Sequence, residues 1–436
     1  MAGRALLAGP AGHDDLVIRG ARVLDPGQGL DETLDVRIDG GTIAQIGLDL
    51  DTNEHRVVEA QGLVLAPAFV DPHVHLRTPG REDEETIESG TAAAAAGGYC
   101  AILAMPNTDP VVDDADVLRG LRERAEREAH VPVGFMAAIT RGQEGTELTD
   151  LGELADAGAA AFTDDGRPVA AAGVMRRALQ YNAVTGRTIA VHCEEPSVTK
   201  GGHAHAGPVA EELGLGGWPS VGESLMVARD LALAAELGQP VHVMHLSARE
   251  SVDQLRWALA NGVRGSGEVT PHHLCLTDEA VRSLDPNVKM NPPLRREDDR
   301  QSLLEALRDG TISCVATDHA PHSREEKDVP FEAAPFGVIG LETAFAALYT
   351  HLVEPGLLRL ETLLERMSAG PAAVFGLDRP RIAVGAPANL ALLDLRATWR
   401  VGPETLRSRS INSWLLGRRL TGAVRATVAA GRLVHG

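Results

Sequence analysis

Lysine is nearly missing from this chain of 436 residues: Lys200, Lys289 and Lys327 are the only three. Arginine therefore carries almost all of the basic charge. The 41 basic residues face 61 acidic ones, a formal net charge of -20. That surplus argues against nucleic acid or an anionic membrane as the main partner. An anionic substrate fits only if arginine or a metal supplies positive charge locally. Cysteine is sparse as well. Cys100, Cys193, Cys275 and Cys314 lie far apart, form no Cys-x-x-Cys pair, and mostly sit in apolar strand-like runs. They read as buried free thiols in a reducing cytoplasm. No stretch approaches the roughly 18 uncharged apolar residues that a membrane span needs. The first ten residues, with one arginine and a very short apolar run, make a poor signal peptide. Residues 1–14 are expected to fray. No Gly-x-Gly-x-x-Gly turn follows the first central strand, which counts against a doubly wound nucleotide-binding sheet.

What is present is an ordinary apolar fraction, 44%, in a chain long enough for one large barrel plus a second domain. Residues 15–66 alternate in short strands punctuated by glycine, as in Leu16–Gly20 and Thr42–Gly47. The C-terminal stretch 381–436 repeats the style at Ala388–Leu395 and Ala426–Val434. The two ends are expected to form one small β-sandwich domain around an inserted centre, residues 67–380. That centre carries apolar strand-like runs near 63–76, 99–107, 131–140, 159–165, 188–194, 240–246, 263–273 and 312–320. Helical periodicity lies between most of them, with Val117, Leu118, Leu121 and Ala125 on one face and Val252, Leu255, Ala258 and Leu259 on another. Eight strands alternating with helices predict an α/β fold, a (β/α)8 TIM-like barrel.

In such a barrel the functional groups sit where strands end. His73 and His75 end the first run, two apart and so on one face of a strand. Asp164-Asp165-Gly166 end the fourth, His192 the fifth, His245 the sixth and Asp318 the eighth. Each has an ordinary explanation alone: a turn aspartate, a hydrogen-bonded core histidine, a helix cap. Four histidines and two aspartates at the same end of five strands point instead to a joint metal site, because imidazole and carboxylate suit zinc and similar divalent ions.

The segments Asp71-Pro72-His73-Val74-His75-Leu76-Arg77, Met105-Pro106-Asn107-Thr108, Phe162-Thr163-Asp164-Asp165-Gly166, His192-Cys193-Glu194-Glu195, Glu268-Val269-Thr270-Pro271-His272-His273-Leu274, Lys289-Met290-Asn291-Pro292-Pro293-Leu294-Arg295, Ala316-Thr317-Asp318-His319-Ala320-Pro321-His322 and Ala334-Pro335-Phe336-Gly337 span most of the chain. In these segments, and in their order, the chain resembles the amidohydrolase superfamily and, within it, the bacterial type I dihydroorotases. The resemblance implies two Zn2+ ions per subunit. His73 and His75 would hold the first with Asp318, His192 and His245 the second, and Asp165 would bridge them. Many relatives, including hydantoinases and allantoinases, bridge with a carboxylated lysine on the fourth strand, and all three lysines here lie elsewhere. Chemistry alone does not separate Asp164 from Asp165. The family pattern selects the aspartate beside Gly166 and leaves Asp164 to orient the loop.

The activity implied is reversible hydrolysis of (S)-dihydroorotate to N-carbamoyl-L-aspartate, run towards ring closure in pyrimidine (UMP) synthesis. Hydroxide generated at the metals would attack the cyclic amide, and Asp318 would shuttle the proton to the departing ring nitrogen. Arg77, two residues past His75, presents a planar fork suited to the substrate carboxylate. Asn107 and His322 are its expected co-donors. Asn291 would bind the polar edge of the ring, under the backbone of Phe336 and Gly337. His203, His205, His272, His273 and His319 receive no role beyond a solvated loop or a partner to a ligand. Two other readings stand beside this one. A hydantoinase- or allantoinase-type enzyme is countered by the missing bridging lysine and by Arg77 and Asn107. A non-catalytic scaffold for aspartate transcarbamoylase is countered by the full set of six ligands. A small-molecule substrate, a cytoplasmic homo-oligomer and association with aspartate transcarbamoylase complete the expectations.

Overall fold

The protein is seen here as a computed structural model that describes residues 6–436. Strands β1 (Leu16–Asp25), β2 (Leu30–Asp39), β3 (Thr42–Gly47), β4 (Arg56–Glu59) and β5 (Val64–Pro67) open the chain. The central strands are β6 (Phe69–Val74), β7 (Tyr99–Ala104), β8 (Val133–Phe135) and β9 (Ile189–Val191), then a short parallel pair, β10 (Ala204–His205) and β11 (Gly217–Trp218), then β12 (Val241–Val243), β13 (Gly265–Val269) and β14 (Cys314–Val315). Strands β15 (Leu390–Arg400), β16 (Arg419–Ala429) and β17 (Arg432–His435) close it.

Both chain ends build one eight-stranded sheet in the order β17-β16-β15-β5-β1-β2-β3, with β4 beside β1. Its inner face follows the period-2 rule. Leu16, Ile18, Val36, Ile38, Leu65, Leu390 and Leu392 are all buried in one apolar cluster. Each such side chain contributes roughly 1.5–3 kcal/mol by leaving water.

The central strands form two parallel arcs, β6-β7-β8 and β9-β12-β13-β14. Single parallel bridges carry the seams: Ala137 to Phe162 and Phe162 to Ile189 on one side, Val74 to His319 on the other. Phe162 alone therefore stands for the fourth expected strand. Its amide donates to Thr188 O and its carbonyl accepts from Ala190 N. Helices cover the arcs. The helix Ala115–Glu128, capped by Asp114, buries Ala115, Leu118, Leu121 and Ala125. The helix Arg249–Ala260 buries Val252, Leu255 and Ala258.

Two expectations change. The run 63–76 is two strands, not one: β5 pairs with β1 and β15, whereas β6 pairs with β7. The switch falls at Ala68, whose amide donates to Asn389 O while Phe69 N turns to Gly98 O. Residues 1–5 of the stretch expected to fray lie outside the described residues. Ala8 in the same stretch is buried and exchanges two hydrogen bonds with Val133, 2.8 and 2.7 Å, so unpaired backbone on β8 anchors it. Among the described residues no helix is long and apolar enough to cross a membrane, and the four cysteines are free.

Candidate active site

All six residues singled out at the strand ends meet at one mouth of the central arcs. His73 Nε2 lies 3.6 Å from Asp165 Oδ1 and 3.4 Å from Asp318 Oδ1. His75 Nε2 lies 3.2 Å from Asp318 Oδ1 and 3.5 Å from Asp165 Oδ2. On the other side of Asp165, its Oδ1 is 3.4 Å from His192 Nδ1 and 3.6 Å from His245 Nε2. Asp165 thus touches four imidazoles. The donor atoms of His73, His75 and Asp165, and those of Asp165, His192 and His245, each lie close enough together to hold one metal ion.

The backbone is bent to achieve this. Arg77, His245 and Asp318 have φ of 56°, 32° and 48°, in the left-handed region that costs a non-glycine residue about 1–3 kcal/mol. Surrounding bonds hold the bends. Asp71, fully buried, accepts from His73 N and Thr317 N, both 3.1 Å, and from Thr317 Oγ1 at 2.5 Å, stapling β6 to the segment that carries Asp318. Asp164 accepts from Ile139 N, Thr140 N and the Thr140 hydroxyl, and faces away from the imidazoles.

Glu268 on β13 lies beneath the cluster. Its Oε1 is 2.8 Å from His73 Nδ1 and accepts from His245 N at 3.3 Å, and its Oε2 is 2.9 Å from His242 Nε2. One carboxylate therefore orients histidines of both halves of the site. Reading the sequence gave Glu268 and Asp71 no role. The available signal was an acidic side chain within a central strand-like run, which must have partners to be buried.

The electrostatics follow from burial and proximity. Burial opposes charge on His73, but Asp165 and Asp318 outweigh it and hold its pKa well above the ordinary value. His192 is likewise raised to about 9 against its burial, by Asp165 and Glu194. His75 is lowered, mainly by burial. Asp165 and Asp318 are held below the usual carboxylate range: the histidines overcome the burial that would raise them. Asp164, with no such cations, is pushed by burial up to about 6.

A cavity of about 330 Å³ opens over the cluster. His75, Asp165, His192, His245 and Asp318 form its floor, and Arg77, Asn107, Asn291, His322, Phe336 and Gly337 line its walls. Arg77 Nε donates to Pro321 O and lies 3.2 Å from Glu84, while Arg77 Nη2 is 3.5 Å from His322 Nε2. Asn107 Oδ1 is 2.9 Å from His75 Nδ1, and Asn291 Nδ2 reaches Glu194 at 3.4 Å. His322 Nε2 is 2.8 Å from Phe336 O. His319 braces the site from behind through Glu85, His273 bonds Thr270 and Pro292 O, and His205 meets Arg295. His272 packs its ring against His273, and neither its Nε2 nor His203 Nδ1 has a hydrogen-bond partner. A larger groove, about 770 Å³, runs between Leu276 and Arg419 and contains none of these donors.

Known proteins share this arrangement of elements. A family model described as dihydro-orotase-like matches residues 62–251. A dihydroorotase from Geotalea daltonii is 44% identical over 422 residues, covering 97% of this chain and 99% of its own. One from Geobacillus kaustophilus is 47% identical over 401 residues, 92% and 94% of the two chains. Among solved structures, an L-hydantoinase (dihydropyrimidinase) from Arthrobacter aurescens superposes with a TM-score of 0.87 at 26% identity, covering 97% of this chain and 96% of its own. With that identity sustained from end to end, the chain belongs to the dihydroorotase family.

Proposed function

We infer that this protein is a dihydroorotase, hydrolysing (S)-dihydroorotate to N-carbamoyl-L-aspartate and, in pyrimidine synthesis, closing the ring in the opposite direction. The observation that carries the reading is the end-to-end likeness to dihydroorotases, joined to a cavity that sets Arg77 and His322 beside the clustered histidines and aspartates.

The donor set fits a divalent metal. His73 Nε2 is buried and has no hydrogen-bond partner, although it faces two carboxylates. Imidazole with carboxylate suits zinc. Two zinc ions per subunit would be held here, one by His73, His75 and Asp318 and one by His192 and His245, with Asp165 within reach of both. When bound, such ions lower the pKa of water to about 7 and polarise a carbonyl.

The chain's own groups do the rest. Asp318 stays ionised in the cavity floor, so it can accept the proton of the attacking water and pass it to the departing ring nitrogen. Arg77, with Asn107 and His322, takes the substrate carboxylate, and the guanidinium fork matches it geometrically. Asn291 and the Phe336–Gly337 backbone hold the ring's polar edge. Asn107 also fixes the His75 ring through Nδ1, tying substrate contact to ligand orientation.

The likeness in fold to a hydantoinase keeps a five-membered ring as the competing substrate. Metal analysis of the purified protein, alongside steady-state turnover of dihydroorotate, hydantoin and allantoin, tests both points. Dihydroorotate is expected to be preferred, with zinc bound. Preference for hydantoin or allantoin overturns the assignment.

A further inference from the structure

Two of the chain's three lysines are buried. Lysine is almost never buried unless paired, yet the partners here are backbone carbonyls. Lys289 Nζ donates to Glu332 O at 2.9 Å and Ala334 O at 2.7 Å. It also sits 4.6 Å from the centre of the Phe336 ring and 5.6 Å from that of Phe331. Lys327 Nζ donates to Pro335 O at 2.8 Å and Pro286 O at 3.1 Å. Carboxylates act on the two ammonium groups from further away, Glu332 on Lys289, Asp285 and Glu326 on Lys327.

Three of the four carbonyls gripped belong to residues 332, 334 and 335, in one irregular segment, and the fourth, Pro286 O, ties Lys327 to the turn that precedes Lys289. That segment supplies Pro335, Phe336 and Gly337 to the cavity wall, and Gly337 N donates to Lys289 O at 2.9 Å. An irregular strand of chain that packs inward leaves carbonyls without secondary-structure partners. A compact ammonium with three rotatable donors can meet several such carbonyls at once, where a planar guanidinium could not follow their directions.

We propose that Lys289 and Lys327 are positioning residues for substrate binding, riveting residues 331–337 over the cavity so that the Phe336–Gly337 backbone meets the ring. The identity of that ring rests on the function inferred above; the riveting does not. Both lysines lie outside the metal cluster, so they act on binding and not on the chemical step.

Lys289→Met and Lys327→Met keep the apolar stem and remove the donors. For each, KM for dihydroorotate is expected to rise about tenfold with kcat within about twofold and metal content unchanged. Chymotrypsin cleavage after Phe331 or Phe336 is expected to quicken. Lys→Gln at either position, which keeps one amide donor, carries the same comparison if a methionine variant does not fold. Either readout moving without the other overturns the proposal, as does a loss confined to kcat. Should the wild-type protein not turn over dihydroorotate, the function is wrong, and unchanged cleavage of the variants would still be needed to reject the rivets.

Discussion

Asp318 combines two properties that usually conflict: it is buried, yet its neighbours favour its ionised form. Desolvation alone would raise its pKa, but His73, His75 and His245 reverse that and hold it low. Asp318→Asn should keep the fold, since asparagine tolerates the left-handed backbone at this position. Its turnover should fall by about 10²–10⁴-fold, the usual worth of a positioned acid–base group. Circular dichroism with a dihydroorotate assay checks this, and activity within a few-fold of wild type would exclude the shuttle. Glu268 makes a different residue-scale case. Replacing it with alanine strips partners from His73, His242 and the His245 amide together. We expect about 3–5 kcal/mol of lost stability, as for other broken buried pairs, and zinc affinity about 10–100-fold weaker. Urea unfolding and competitive metal titration measure the two effects. The ligand-type residues were legible because their chemistry is local: a histidine at a strand end announces itself. Glu268 was not, because its meaning lies in a contact 195 positions away.

The connection between β15 and β16 shows how an element far from the centre in sequence reaches the site. Glu342 accepts from Arg407 N at 2.6 Å and Ser408 N at 3.1 Å, and Glu85 accepts from Arg409 N and the Ser408 hydroxyl. Asn412 then accepts from His322 N and donates to Ala320 O, at 3.1 and 3.0 Å. Burial pushes the Glu342 carboxyl up to about 7, against the two amides that favour its ionised form. A carboxyl raised above its unfolded value contributes stability that is complete below about 4.5 and is lost as pH rises through 7. Glu342→Gln removes that loss. Relative to wild type it should gain stability between pH 5 and pH 8, by at most about 3 kcal/mol. Urea unfolding at the two pH values reads the difference, and parallel changes in both proteins would refute it. Nothing in residues 401–418 signals this docking, because its partners are backbone amides brought together by the fold. The central strands were readable from apolar runs, whereas the break at Ala68 was not: apolar sequence is continuous there, and only pairing to two different sheets divides β5 from β6.

At the scale of the molecule, the two arcs meet through single bridges, and one of them, Val74 to His319, lies beside His73, His75 and Asp318 of the cluster. Five of the six clustered side chains come from the ends of four strands on the two arcs, and Asp165 comes from the seam segment after Phe162, so an ion held by them would tie the seams across the mouth. A ligand that binds only the folded state stabilises it by mass action. Chelation should therefore lower the melting temperature, and added zinc should restore it. The metal-free state also has a distinct charge. Raised to about 9 against its burial by Asp165 and Glu194, His192 keeps its proton at pH 8, and Asp165 and Asp318 shift His73 in the same direction. A metal ligand must be deprotonated, so zinc binding to the stripped protein has to expel such protons. Titrating zinc into stripped protein at pH 8 in weak buffer with an indicator dye should show proton release that stops when the sites fill. His192→Asn should diminish that release. A melting temperature indifferent to chelation, or zinc uptake with no protons released, would mean that this cluster is not where the metal binds.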